Sequence, residues 1–65
     1  MKIGEYRKRA QLTQEALANK LNVDRSAITK WETGAAAPTA AKLPKIAEAL
    51  GCTIDDLFGN EKSAG

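Results

Sequence analysis

Thr13-Gln14-Glu15-Ala16-Leu17-Ala18-Asn19-Lys20-Leu21-Asn22-Val23-Asp24-Arg25-Ser26-Ala27-Ile28-Thr29-Lys30-Trp31-Glu32-Thr33-Gly34 is the stretch on which the fold turns. Leu17, Ala18 and Leu21 fall on one helical face, and Ala27, Ile28 and Trp31 fall on another. Thr13 stands where its hydroxyl can accept an orphan backbone N–H and start the first of two helices, and Asp24 holds the same position before the second. Asn22 closes the first, being the residue after glycine most tolerant of the left-handed conformation; Gly34 closes the second. Helices of about eight residues joined only by Asn22-Val23-Asp24 have no room to lie antiparallel, so they must cross steeply.

Working outward, Lys2 to Ala10 places Ile3, Tyr6, Arg7 and Ala10 on one helical stripe, and Leu12 follows as an apolar plug in the connection. On the other side, Ala35-Ala36-Ala37-Pro38 is a connection. Thr39 then caps a fourth helix that runs to Leu50 on a stripe of Leu43, Ile46, Ala47 and Leu50. Pro44 interrupts it. Lacking an N–H, and with a ring that crowds the preceding turn, it predicts a helix that starts near Leu43 or is irregular before it. Gly51 supplies the stop. Thr53 and Asp56 have the spacing of a capping box, with aspartate for the usual glutamate, and open a short fifth helix through Ile54, Leu57 and Phe58. The chain therefore reads as all-α, with residues 1–58 as one domain of five short helices and residues 59–65 as a flexible tail.

A chain of 65 residues buries only about 60% of its unfolded surface, so a single small core has little reserve. The one cysteine, Cys52, rules out an internal disulfide, and with no histidine a zinc site lacks a ligand set. No cofactor or metal is expected. Met1-Lys2-Ile3 leads into mixed polar sequence, with no apolar run long enough for a bilayer span or a signal peptide. The expectation is a soluble, cytoplasmic protein without a membrane partner, which the lone thiol fits. The formal net charge of +2 hides an asymmetry, since residues 1–33 carry seven basic side chains against four acidic and residues 34–65 carry three against four. The basic excess lies where a polyanion would dock.

The outer face of residues 25–33 leans the same way. With Ala27, Ile28 and Trp31 turned inward, Arg25, Ser26, Thr29, Lys30 and Thr33 face out; all hydrogen-bond and none is acidic. Arginine and lysine donate to guanine O6 and N7, while serine and threonine serve bases or phosphates. An enzyme would need a base or nucleophile in this place. Elsewhere there is no phosphate-binding glycine loop, catalytic triad or metal cluster. Adjacent Asp55 and Asp56 suit the positive end of a helix better than acid–base work. Trp31, beside Ile28, is read as core rather than as a stacking platform, and Cys52 as a small residue at a helix junction. No enzymatic activity is expected.

Leu12-Thr13-Gln14-Glu15-Ala16-Leu17-Ala18, followed by Val23-Asp24-Arg25-Ser26-Ala27-Ile28-Thr29-Lys30-Trp31-Glu32-Thr33-Gly34, closely resembles the Cro/C1-type (XRE-like) helix-turn-helix family of phage and bacterial regulators. Pro38-Thr39, Lys45-Ile46-Ala47-Glu48-Ala49-Leu50-Gly51 and Asp55-Asp56-Leu57 resemble that family's fourth and fifth helices. The resemblance implies a compact, lambda-repressor-like five-helix domain whose helices two and three form the helix-turn-helix. It also implies sequence-specific binding of double-stranded DNA by a small transcriptional regulator, with repression the expected mode. On the matching positions, Gln14 contacts a phosphate and braces the recognition helix, residues 25–33. Arg25, Ser26 and Lys30 face base edges, Thr29 and Thr33 lie beside them near bases or backbone, and Arg7 and Glu32 form a structural ion pair. Family members commonly pair, which implies a homodimer on a pseudo-palindromic operator with recognition helices about 34 Å apart. Its interface is expected near helix five and the preceding loop, using some of Ile54, Leu57 and Phe58, and no small-molecule effector is implied.

The chain departs from the family pattern in three places. The link after the recognition helix, often basic, is Ala35-Ala36-Ala37 here, which predicts fewer phosphate contacts and a shallower salt dependence. Asp24 replaces a serine or threonine, and Asn22 stands where glycine is common. The alanine link and the low net charge keep a second function class open: a protein-interaction module, such as the antitoxin of a toxin–antitoxin pair, with DNA binding secondary.

Overall fold

A computed structural model describes residues 1–59, and the expected tail from residue 60 onward lies outside the described residues. The α-helices are α1 (Ile3–Arg9), α2 (Gln14–Leu21), α3 (Arg25–Thr33), α4 (Leu43–Leu50) and α5 (Ile54–Phe58). Among the described residues there is no strand.

Three of these helices stop by the same device. After α1, Gln11 adopts φ 60°, its N–H donates to the Lys8 carbonyl at 3.0 Å, and the Leu12 N–H donates to the Arg7 carbonyl at 3.1 Å. Those paired bonds make a Schellman stop. Asn22 (φ 59°) and Gly51 (φ 69°) close α2 and α4 with the same bonds. The next residue in each case, Leu12, Val23 or Cys52, packs against the core, so the stop is also a fastening.

The helix starts are less uniform. Thr13 Oγ1 accepts the Ala16 N–H at 3.0 Å, as its position implied. Thr53 and Asp56 form both halves of the capping box: Asp56 N–H donates to Thr53 Oγ1 at 3.0 Å and Thr53 N–H to Asp56 Oδ2 at 3.1 Å. Asp24 departs from expectation. It has the extended backbone of an N-cap but its side chain makes no cap bond, while the Ala27 N–H donates to the Asp24 main-chain carbonyl at 3.0 Å. Thr39 likewise heads a turn without capping it by its side chain. Ala40–Lys42 winds as a 3-10 turn and α4 proper begins at Leu43, with Pro44 in its first turn. The proline ring would crowd the Ala40 carbonyl of a regular α-helix, and the tighter turn avoids that clash. Ala10, expected on the α1 stripe, sits at the C-cap and is exposed.

The core is Ile3, Leu17, Ala18, Leu21, Ile28, Trp31, Ile46, Ala47, Leu50 and Leu57, drawn from all five helices. Trp31 is buried there, in keeping with its place beside Ile28. The chain start is tied to α5 by the Lys2 N–H, which donates to the Leu57 carbonyl at 2.7 Å. With α2 and α3 packed on each other around Leu17, Leu21 and Ile28, the opposite side of α3 is left to solvent.

Candidate functional site

The solvent side of α3 carries Arg25, Ser26, Thr29, Lys30 and Thr33, all exposed. Among the described residues, neither Arg25 nor Lys30 pairs with a carboxylate, so both cations are available to an outside partner. Thr33 Oγ1 donates back to the Lys30 carbonyl at 3.3 Å, and Thr29 Oγ1 to that of Arg25 at 3.4 Å. The face is polar, cationic and free of acid.

Behind it lies a network that fixes how α3 is held. Arg7 on α1 grips Glu32 on α3 with two donors, Nε to Oε2 at 2.6 Å and a terminal nitrogen to Oε1 at 3.3 Å. Its other terminal nitrogen donates to the Leu12 carbonyl at 2.7 Å, so one guanidinium joins α1, the α1–α2 link and α3. The two side chains are only 12% and 13% exposed, where a planar fork constrains angle as well as distance. Gln14, at the start of α2, extends the network: its Nε2 donates to Glu32 Oε1 at 3.0 Å, and its Oε1 accepts from Thr29 Oγ1 at 3.4 Å. Of the residues singled out in the sequence, Arg7, Gln14, Thr29 and Glu32 are thus joined, while Arg25, Ser26, Lys30 and Thr33 stand on the open face beside them.

Burial by itself would push the Glu32 carboxyl up. Hydrogen bonds from Arg7 and Gln14, with the charges of Arg7 and Lys8, outweigh that and hold it below its ordinary range. The carboxylate is an ionised, acceptor-only hub. Gly4 makes room for it, since a Cβ there would lie 3.1 Å from the Glu32 carboxyl carbon.

Sequence reasoning gave Gly4 no role. Lys8, Arg7, Gln14 and Glu32 line one open depression, together with Lys2, Gly4 and Glu5. Cys52 is half-buried, and burial, with the charge of Asp56, pushes its thiol up, which disfavours the reactive thiolate. Among the described residues no group of three or more Cys, Asp and Glu side chains converges as metal ligands, and no helix is long and apolar enough to cross a membrane.

A family model described as helix-turn-helix matches residues 3–57. The chain is 41% identical over 61 residues to the HTH-type transcriptional activator BcrR of Enterococcus faecalis, covering 94% of this chain and 30% of that protein. It is 34% identical over 58 residues to the cryptic phage CTXphi transcriptional repressor RstR of Vibrio cholerae, covering 89% and 52%. With an uncharacterized HTH-type transcriptional regulator of Methanocaldococcus jannaschii it shares 42% identity over 57 residues, covering 88% and 86%. The chain thus spans about a third and about half of the first two relatives and most of the third. No solved structure matches it.

Proposed function

Since the chain belongs to the helix-turn-helix family, of Cro/C1 type as its motifs implied, we propose that it is a sequence-specific regulator that lays α3 in the major groove of duplex DNA. The observation that carries this reading is the acid-free outer face of α3, braced from behind by Arg7, Glu32 and Gln14. Arg25, Ser26 and Lys30 face base edges, Thr29 and Thr33 lie beside them, and Gln14 with Lys8 meets the phosphate backbone. Relatives bearing the names of transcriptional regulators support the same reading. Repression is the simplest mode for this unit, because occupancy of a promoter is enough to block it. No catalytic step is part of the proposal.

The unit acts as a homodimer on a two-fold operator, since one such helix reads only a half-site. Phe58, 52% exposed, with half-buried Ile54 supports an interface on α5. Leu57 is removed from that expectation, being fully buried in the core of its own chain.

Selection from a randomised duplex pool at moderate salt tests the proposal. A two-fold symmetric motif with half-sites about one helical turn apart is the expected result. A folded protein that enriches no motif would overturn it. Arg25→Ala should cost about 1–3 kcal/mol of operator binding and relax preference at one position of each half-site.

A further inference from the structure

Thr29 has one hydroxyl hydrogen and two acceptors inside the protein that take it: Gln14 Oε1 and the Arg25 carbonyl, each at 3.4 Å. The polarity of the first contact is imposed from further back. Glu32, gripped by Arg7, only accepts hydrogen bonds, so the Gln14 amide must turn Nε2 toward it and Oε1 toward Thr29. The second acceptor is a main-chain carbonyl and cannot donate. Both contacts are long, and both draw the hydrogen inward. Thr29 is exposed, and what it offers outward is a pair of lone pairs and a methyl group.

Resting on the reading of α3 as the helix in the major groove, we propose that Thr29 is a specificity-determining acceptor that selects an exocyclic amino group, adenine N6 or cytosine N4, on the base beneath it. Those are the amino donors that the major groove displays; guanine O6 and thymine O4 would set lone pair against lone pair. The same orientation leaves the second Nε2 hydrogen of Gln14 for a phosphate. Gln14 therefore contributes twice, once to the backbone and once by fixing what its neighbour can read.

The test begins with the motif selected by the wild type and by Thr29→Val, which keeps the branched shape and removes the acceptor at an exposed position. One position per half-site should lose preference by about threefold to tenfold, the weight of a single neutral hydrogen bond. Thr29→Ser, which keeps the hydroxyl, should retain it. Affinity is then measured on the selected duplex with the amino group at that position converted to N6-methyladenine or N4-methylcytosine. In these bases a methyl replaces the groove-facing hydrogen while pairing is preserved. Methylation should weaken the wild type and Thr29→Ser by a similar factor and leave Thr29→Val nearly unaffected. Equal losses in wild type and Thr29→Val, or no loss in either, would overturn the assignment. A selected motif that Thr29→Val does not alter overturns this inference alone, whereas no motif from the folded wild type overturns the placement of α3 as well.

Discussion

The two halves of this molecule share one apolar core and differ in what else ties their elements together. In α1–α3, side-chain hydrogen bonds cross between elements: Arg7 to Glu32 and to the Leu12 carbonyl, Gln14 to Glu32, and Thr29 to Gln14. In α4–α5, Thr53 and Asp56 bond within their own turn, while Ile46, Ala47, Leu50 and Leu57 enter the shared core as apolar surface. Apolar burial is roughly proportional to area and indifferent to direction, so it supplies stability without fixing an angle. A forked ion pair between largely buried side chains adds less net stability but tolerates little rotation. The half that presents the polar face is the half whose geometry is pinned.

Substitutions that separate stability from geometry would break or sharpen this contrast. The largest loss of stability should come from Ile46→Ala, at a fully buried position, costing about 2–4 kcal/mol in thermal or urea unfolding. The molecules that remain folded should keep the wild-type operator preference. Glu32→Ala, which strands Arg7 and releases Gln14, should cost about 2–3 kcal/mol, less than a fully buried pair, and should also blur base preference. If both variants changed stability alone, the division of labour between the halves would be wrong.

Acid supplies a finer version of the second experiment. Because the folded carboxyl of Glu32 lies below its ordinary value of 4.5, its contribution is fully present above that value and is lost as pH falls through the lowered one. Glu32→Gln should therefore unfold with a shallower dependence on pH below about 4.5 than the wild type. Identical slopes would show that the carboxylate gains nothing from its partners on folding. Smallest is Thr53→Ala, which removes the capping hydroxyl of α5 and should cost about 1 kcal/mol with half-site affinity unaltered.

What could be read in the sequence was mostly local. Asn22, Gly34 and Gly51 announce helix stops by their tolerance of positive φ, and all three adopt it. Pro44 forced a choice between two starts for α4, and both halves of that choice are realised, a 3-10 turn followed by an α-helix from Leu43. Gln11 carries no such signal. A glutamine at φ 60° is held there by Leu12, whose side chain packs on the core and whose carbonyl is fastened by Arg7. Asp24 misled because capping propensity does not fix whether the carboxylate turns toward the amides of the first turn. The Arg7–Glu32 pairing and the bracing of α3 by Gln14 were legible only through family resemblance, and Gly4 was not legible at all. Each depends on how closely helices distant in sequence approach, which no periodicity encodes.

Dimethyl sulfate interference on the selected duplex tests the central claim most directly, because the reagent methylates guanine N7 in the major groove and adenine N3 in the minor groove. With α3 in the major groove, N7 methylation within the half-sites should abolish binding while N3 methylation there is tolerated, and Arg25→Ala should lose sensitivity at one of those guanines. Interference confined to minor-groove N3, or binding indifferent to both, would contradict the account.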